Sequence, residues 1–125
     1  MAVTVKLKYL RHSARKLEPV AKMFRGKNLE RSIEETSLMP QDSATYLNKA
    51  LKMAKAAATA KEFDADKMII SAISATTGPK IKRIRPNARG RTNRYIKHLA
   101  HVQVTVEQAP EKPVKAKKVA KKETE

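Results

Sequence analysis

Between Lys67 and Val106 the chain carries nine lysines and arginines and no aspartate or glutamate. Eight of these (Lys80, Lys82, Arg83, Arg85, Arg89, Arg91, Arg94 and Lys97) fall within positions 80–97. Five of the eight are arginines. A guanidinium offers two parallel donors that match phosphate oxygens, whereas an ammonium acts as a point charge. The chemistry this spacing supports is therefore capture of a polyanion, and phosphate suits it best. Solubility alone would be served by mixed charges and does not require excluding every acid over so long a stretch. A second set of cations, Lys6, Lys8, Arg11, Arg15, Lys16, Arg25 and Lys27, lies near the start of the chain and is expected to anchor the body to the same partner.

Other chemistry is missing. Cysteine is absent, which excludes thiolate zinc sites, disulfide scaffolds and cysteine nucleophiles. The histidines are His12, His98 and His101, and the last two would point to opposite faces of a strand. Asp64 and Asp66 read as turn or cap residues rather than metal ligands, and Ser13 beside His12 has no third group to orient it. No phosphate-binding loop, dinucleotide fingerprint or zinc-protease motif occurs. The expectation is a non-enzyme with no cofactor, no metal and no small-molecule substrate. Aromatic residues make up 4% (Tyr9, Phe24, Tyr46, Phe63, Tyr95), so base stacking is expected to be a minor term.

Charge and hydropathy narrow the partner. The 125 residues hold 28 Lys plus Arg against 12 Asp plus Glu, a formal net charge of +16, and the sequence pI is about 10.3. Nucleic acid or an anionic membrane leads on charge. No apolar run approaches the roughly 20 residues of a membrane span, and the N-terminus has no signal-peptide core. These observations point to a cytoplasmic protein without a membrane partner.

The elements that must position these cations can be read from periodicity. Val3, Val5, Leu7 and Tyr9 alternate with polar residues, the pattern of a half-buried strand. Ser13 is placed to cap a helix ending near Arg25-Gly26, with Leu17, Val20, Ala21 and Phe24 as its apolar stripe. Pro19 interrupts that stretch, so the regular helix is expected to begin nearer Glu18. A short helix follows from Leu29 to Leu38, capped by Asn28, with Leu29, Ile33 and Leu38 inward. The strongest helix covers about 41–61, where Ala44, Leu47, Leu51, Ala54 and Ala58 recur at helical spacing. Its small alanine-rich face has no Trp or Phe anchor, which favours packing on a sheet over lying on a membrane. Met68–Ala75 and Val102–Val106 supply two further strands. The fold class is α+β: three helices on a small three-stranded antiparallel sheet.

Residues 78–97 join two of those strands, far more chain than a simple hairpin needs. The strands are expected to continue outward as an extended β-hairpin arm (78–101), with Pro86, Asn87, Ala88, Arg89 and Gly90 as turn residues at its tip, flanked by Arg85 and Arg91. Ten residues per strand at about 3.3 Å project the arm roughly 30 Å. A two-stranded ribbon with eight like charges is not stable by itself and needs something negative to hold it. The domain is thus residues 1–108. Residues 109–125 form a Lys-rich, low-complexity tail, read as solvated and disordered, with an RNA-neutralising extension as the alternative.

Phe24-Arg25-Gly26-Lys27, Gly78-Pro79, Lys82-Arg83, Pro86, Ala88, Gly90-Arg91, Arg94, Ile96-Lys97 and His101 together resemble the bacterial large-subunit ribosomal protein twenty-two family, in order over about residues 3–107. Arg85, where an apolar or aromatic residue is commoner, and His98-Leu99-Ala100, in place of a more polar run, depart from its pattern. The resemblance implies a structural constituent of the large (50S) subunit, bound in single copy to 23S ribosomal RNA near the exit of the peptide tunnel. It further implies that the hairpin lines the tunnel, its tip facing the nascent peptide among other large-subunit proteins, and that the protein takes part in early subunit assembly. The competing reading from the residues is a DNA-bending architectural protein, with Pro86 as a wedge at the end of a basic arm.

Overall fold

The computed structural model describes residues 2–64 and 67–108; the Lys-rich tail and Asp66 lie outside them. The elements run β1 (Ala2–Leu10), α1 (Ala14–Phe24), α2 (Leu29–Leu38), α3 (Asp42–Thr59), β2 (Met68–Pro86) and β3 (Thr92–Gln108). The sheet is antiparallel in the order β1-β3-β2. Val102, Val104 and Val106 of the central strand face Leu7, Val5 and Val3 on one side, and Ala75, Ile73 and Ile70 on the other. Alternation, with an extra residue in β2 between Ile70 and Ala72 that brings Ile70 and Ile73 to the same side, sends this whole row to one face, where the helices cover it. The three valines of β3 are fully buried with Leu17, Phe24, Leu29, Leu47, Leu51 and Met68.

Helix α3 meets the expectation closely: Ala44, Leu47, Leu51, Ala54 and Ala58 are all fully buried. Its alanines let the helix axis approach the sheet, and each buried leucine contributes about 1.5–3 kcal/mol. Helix α1 buries Leu17, Val20, Ala21 and Phe24 as expected but begins at Ala14 and passes through Pro19 rather than starting near Glu18. Proline there removes the N–H that would reach the Arg15 carbonyl. Arg15 and Pro19 are both exposed, so water can satisfy that carbonyl and the helix need not break. Ser13 has the extended backbone of a cap, yet its side chain makes no capping bond.

Two expectations fail for geometric reasons. Leu38 is 84% exposed instead of inward. Nine residues beyond Leu29 at about 100° each place it on the opposite side of α2. The inward stripe is Leu29, Ser32 and Thr36. Asn48 Nδ2 donates to the Ile33 carbonyl and to Thr36 Oγ1, both at 2.9 Å. This hydrogen-bonded seam joins α2 to α3 without leucine. Tyr9, which alternation assigns to the buried face of β1, is 63% exposed. One extra residue enters β1 between Leu7 and Leu10. That bulge reverses the parity, so Leu10 takes the buried position. Tyr9 absorbs the kink at φ 57.

Beyond the Leu10–Ala100 pair, β2 and β3 leave β1 behind and continue as a two-stranded arm. No residue from 74 to 99 is buried. The arm's outer nine residues on β2, Gly78–Pro86, extend about 30 Å at strand rise, as expected. At its root Gly78 lies against β3: a Cβ there would sit 3.1 Å from the Leu99 carbonyl oxygen and 3.2 Å from His101 Nε2.

Candidate nucleic-acid interface

Strand pairing decides where the arm's charges point. Lys80 pairs with His98, Lys82 with Ile96 and Ile84 with Arg94; between them Ile81 pairs with Lys97, Arg83 with Tyr95 and Arg85 with Asn93. Paired side chains share a face and successive pairs alternate. One face therefore presents Lys80, Lys82 and Arg94, and the other presents Arg83, Arg85 and Lys97. Arg89 and Arg91 occupy the tip. All eight cations are exposed. None enters any of the ion pairs among the described residues, which are Lys22–Glu18, Lys27–Glu35, Lys55–Glu30 and Lys67–Asp64. An arm meant to lie on a charged surface would need cations on one side only. This one offers three on each side, an arrangement suited to a partner that encloses it.

The tip closes tightly. The Asn87 N–H donates to the Arg91 carbonyl at 2.7 Å, and Ala88–Arg91 form a tight turn in which the Arg91 N–H reaches the Ala88 carbonyl at 3.5 Å. Arg89 and Gly90 both take left-handed backbone, at φ 59 and 69. Glycine accepts that conformation freely, whereas for Arg89 it costs about 1–2 kcal/mol. Pro86 pairs with Thr92, so the turn, rather than the proline, is the outermost feature.

Where the arm leaves the body, it forms a crook with the loop after β1 and the first turn of α1. Arg11, Lys16, Arg83, Lys97 and His98 help line a cleft of about 420 Å³, and Arg15, Lys80 and His98 line an adjoining one of about 540 Å³. Neither lining includes an acid. The first turn of α1 also lacks one, although a helix N-terminus ordinarily favours negative side chains. Placing Arg15 and Lys16 there instead leaves the helix dipole and the cations jointly ready for an anion from outside. The sequence thus named Arg11, Arg15 and Lys16 separately from the arm, and the fold joins them to it. His98 was not singled out for this role. The signal for it was the two-residue period from Ala100, which puts it on the helix-facing side beside Lys80.

The remaining candidates divide. Lys6 and Lys8 are exposed on β1, Lys6 across from Gln103 on the face that the helices leave open. Arg25 Nε and Nη2 donate to the Ile73 carbonyl at 2.9 and 2.7 Å, tying the end of α1 to β2. Lys27 pairs with Glu35 at 2.6 Å and stands 5.1 Å above the Phe24 ring. Both residues serve the fold directly. His12 bonds Ser43 Oγ at 2.9 Å, not Ser13, and His101 Nδ1 accepts from the Tyr9 N–H at 2.9 Å. Among the described residues no cluster of three or more His, Asp or Glu is arranged to hold a metal, and no helix is long and apolar enough to cross a membrane.

Comparison with protein families matches residues 5–107 to the one described as Ribosomal protein L22p/L17e. A curated relative from Desulfatibacillum aliphaticivorans, the large ribosomal subunit protein uL22, is 36% identical over 108 residues, covering 86% of this chain and all of the relative. Proteins of the same name from Desulfosudis oleivorans and Clostridioides difficile are 34% and 35% identical, covering 83% and 81% of this chain and 91% and 92% of the relatives.

Proposed function

The chain belongs to the Ribosomal protein L22p/L17e family of structural large-subunit ribosomal proteins, and from that premise we propose that it binds 23S ribosomal RNA through two joined basic surfaces. The crook formed by Arg11, Arg15, Lys16, Lys80, Arg83, Lys97 and His98 grips RNA where the arm meets the body. The arm itself runs into the folded RNA and is neutralised on both faces. Lys6 and Lys8 add contacts from the open face of the sheet, and the exposed edges of Arg25 and Lys27 add to those of α1. The tip, Arg85–Arg91, forms part of the peptide exit tunnel wall beside other large-subunit proteins, with its arginine side chains against RNA and the outermost backbone of its turn toward the nascent chain. The protein acts in the cytoplasm within the ribosome, in single copy, without catalysis, and helps early subunit assembly by touching separate RNA segments.

The observation that carries this reading is the even division of arm cations between the two faces with no acid to pair them. A phosphate-rich enclosure is the partner that satisfies both sides at once. The position of Pro86 inside the ladder, with the turn beyond it, removes the support for a DNA-kinking wedge. The test is charge reversal of Arg89, Arg91 and Arg94 to Glu, followed by sedimentation of large subunits. The variant is expected to be depleted from them, and incorporation equal to that of the native chain would overturn the proposal.

A further inference from the structure

One patch on the arm carries more than charge. On the face that presents Arg83, Arg85 and Lys97, the Arg85 guanidinium lies 5.1 Å from the centre of the Tyr95 ring. Asn93 stands directly across the ladder from Arg85. These three side chains line a shallow cavity of about 210 Å³. Tyr95 is partly open to solvent. Among the described residues, neither its hydroxyl nor the Asn93 carboxamide has a hydrogen-bond partner. The opposite face at the same depth has only aliphatic apolar residues, Ile84 and Ile96.

Neutralising phosphate requires no aromatic ring and no amide. Nor does the fold require them, since nothing around them is buried. A guanidinium in cation–π contact with a ring instead sets two flat groups side by side, and their open faces can accept another plane. The amide beside it supplies one acceptor and two donors within reach of the edge of whatever enters. Unpaired RNA bases are recognised by this combination: stacking on aromatic or guanidinium planes together with hydrogen bonds to the base edge.

We propose that the Arg85–Tyr95–Asn93 patch binds one unpaired nucleobase, stacked on the Arg85–Tyr95 pair with its Watson–Crick edge hydrogen-bonded to Asn93. The inference rests on the reading that the arm lies in ribosomal RNA, and adds a base-selective contact to an arm otherwise selective only for charge and shape. Stacking of one base is worth roughly 5- to 150-fold in affinity.

The test uses the full chain bound at saturation to protein-free 23S RNA. Dimethyl sulfate and a carbodiimide report base edges, and hydroxyl radicals report the backbone. The native chain is expected to protect the edge of one unpaired base. Tyr95→Leu and Arg85→Lys (which keeps the charge and loses the plane) should each restore that base's reactivity several-fold and leave the backbone footprint of the arm in place. Identical base reactivities with all three proteins, with the backbone footprint intact, would overturn the inference. Absence of any backbone footprint from the arm in the native chain would instead overturn the RNA-binding reading beneath it.

Discussion

If RNA encloses the arm, its cations on both faces and at the tip should all release counterions on binding. Replacing Arg83, Arg94 and Arg91 by Gln, one from each face and one from the tip, tests this directly. Each phosphate contact contributes about 0.7–0.9 to the slope of log affinity against log salt. Engagement of all eight arm cations therefore predicts an arm contribution of about −6 to −7. Between about 50 and about 200 mM salt that amounts to a roughly 10³- to 10⁴-fold loss of affinity. Each single substitution should flatten the slope by about 0.7–0.9, and the triple by about 2–3. The assay is equilibrium binding of the full chain to 23S RNA across a salt series. Because all three residues are exposed, the fold should tolerate the changes, and thermal unfolding checks that it does. If only one of the two faces affected the slope, the arm would lie on a surface rather than within an enclosure. An unchanged slope in the triple variant would refute phosphate engagement altogether.

Other outcomes follow from the packing. Leu51→Ala, at a fully buried position under the sheet, should cost about 2–5 kcal/mol in urea unfolding; a loss below 1 kcal/mol would mean that α3 does not carry the core. Asn48→Ala removes both bonds to α2 and should cost about 1–3 kcal/mol by the same measurement. Gly78→Val places a branched side chain against the Leu99 carbonyl and His101, and the crowding should cost about 1–3 kcal/mol; native-like stability would show that the root of the arm is loosely packed. Arg25→Met keeps the aliphatic stem but loses both bonds to the Ile73 carbonyl, for an expected loss of about 1.5–3 kcal/mol.

Most of the architecture was legible because the body follows simple periods. Val102, Val104 and Val106 announce a half-buried strand, and the Ala44–Ala58 stripe announces a close-packed helix. The arm was legible for a different reason: an acid-free run too long for a turn has few uses in a compact domain. What escaped were local departures from a period. The bulge between Leu7 and Leu10 shifts the parity by one residue, and nothing in Lys8-Tyr9 advertises a left-handed backbone at a tyrosine. Leu38 is apolar yet exposed because its angle, nine residues on from Leu29, sets it opposite the buried side of α2. Pro19 is tolerated at the middle of α1 because, on the exposed side, it leaves unsatisfied only a carbonyl that water reaches. The crook depends on where the loop after β1 meets the arm, which is tertiary placement that spacing along the chain does not encode. The contact of Arg85 with Tyr95 needed the strand register, because the two residues lie one diagonal apart and ten positions distant in sequence.

The central claim is that this ribbon of like charges holds its shape by virtue of surrounding RNA. Amide hydrogen exchange on residues 80–97, beyond the packed root at Gly78 and Leu99, measured in the free chain and again when bound to 23S RNA, tests it most directly. The account predicts exchange near the unprotected rate in the free chain, beside a protected β1–β3 core, and strong protection of the same amides in the complex. Equal protection of the arm with and without RNA would contradict it.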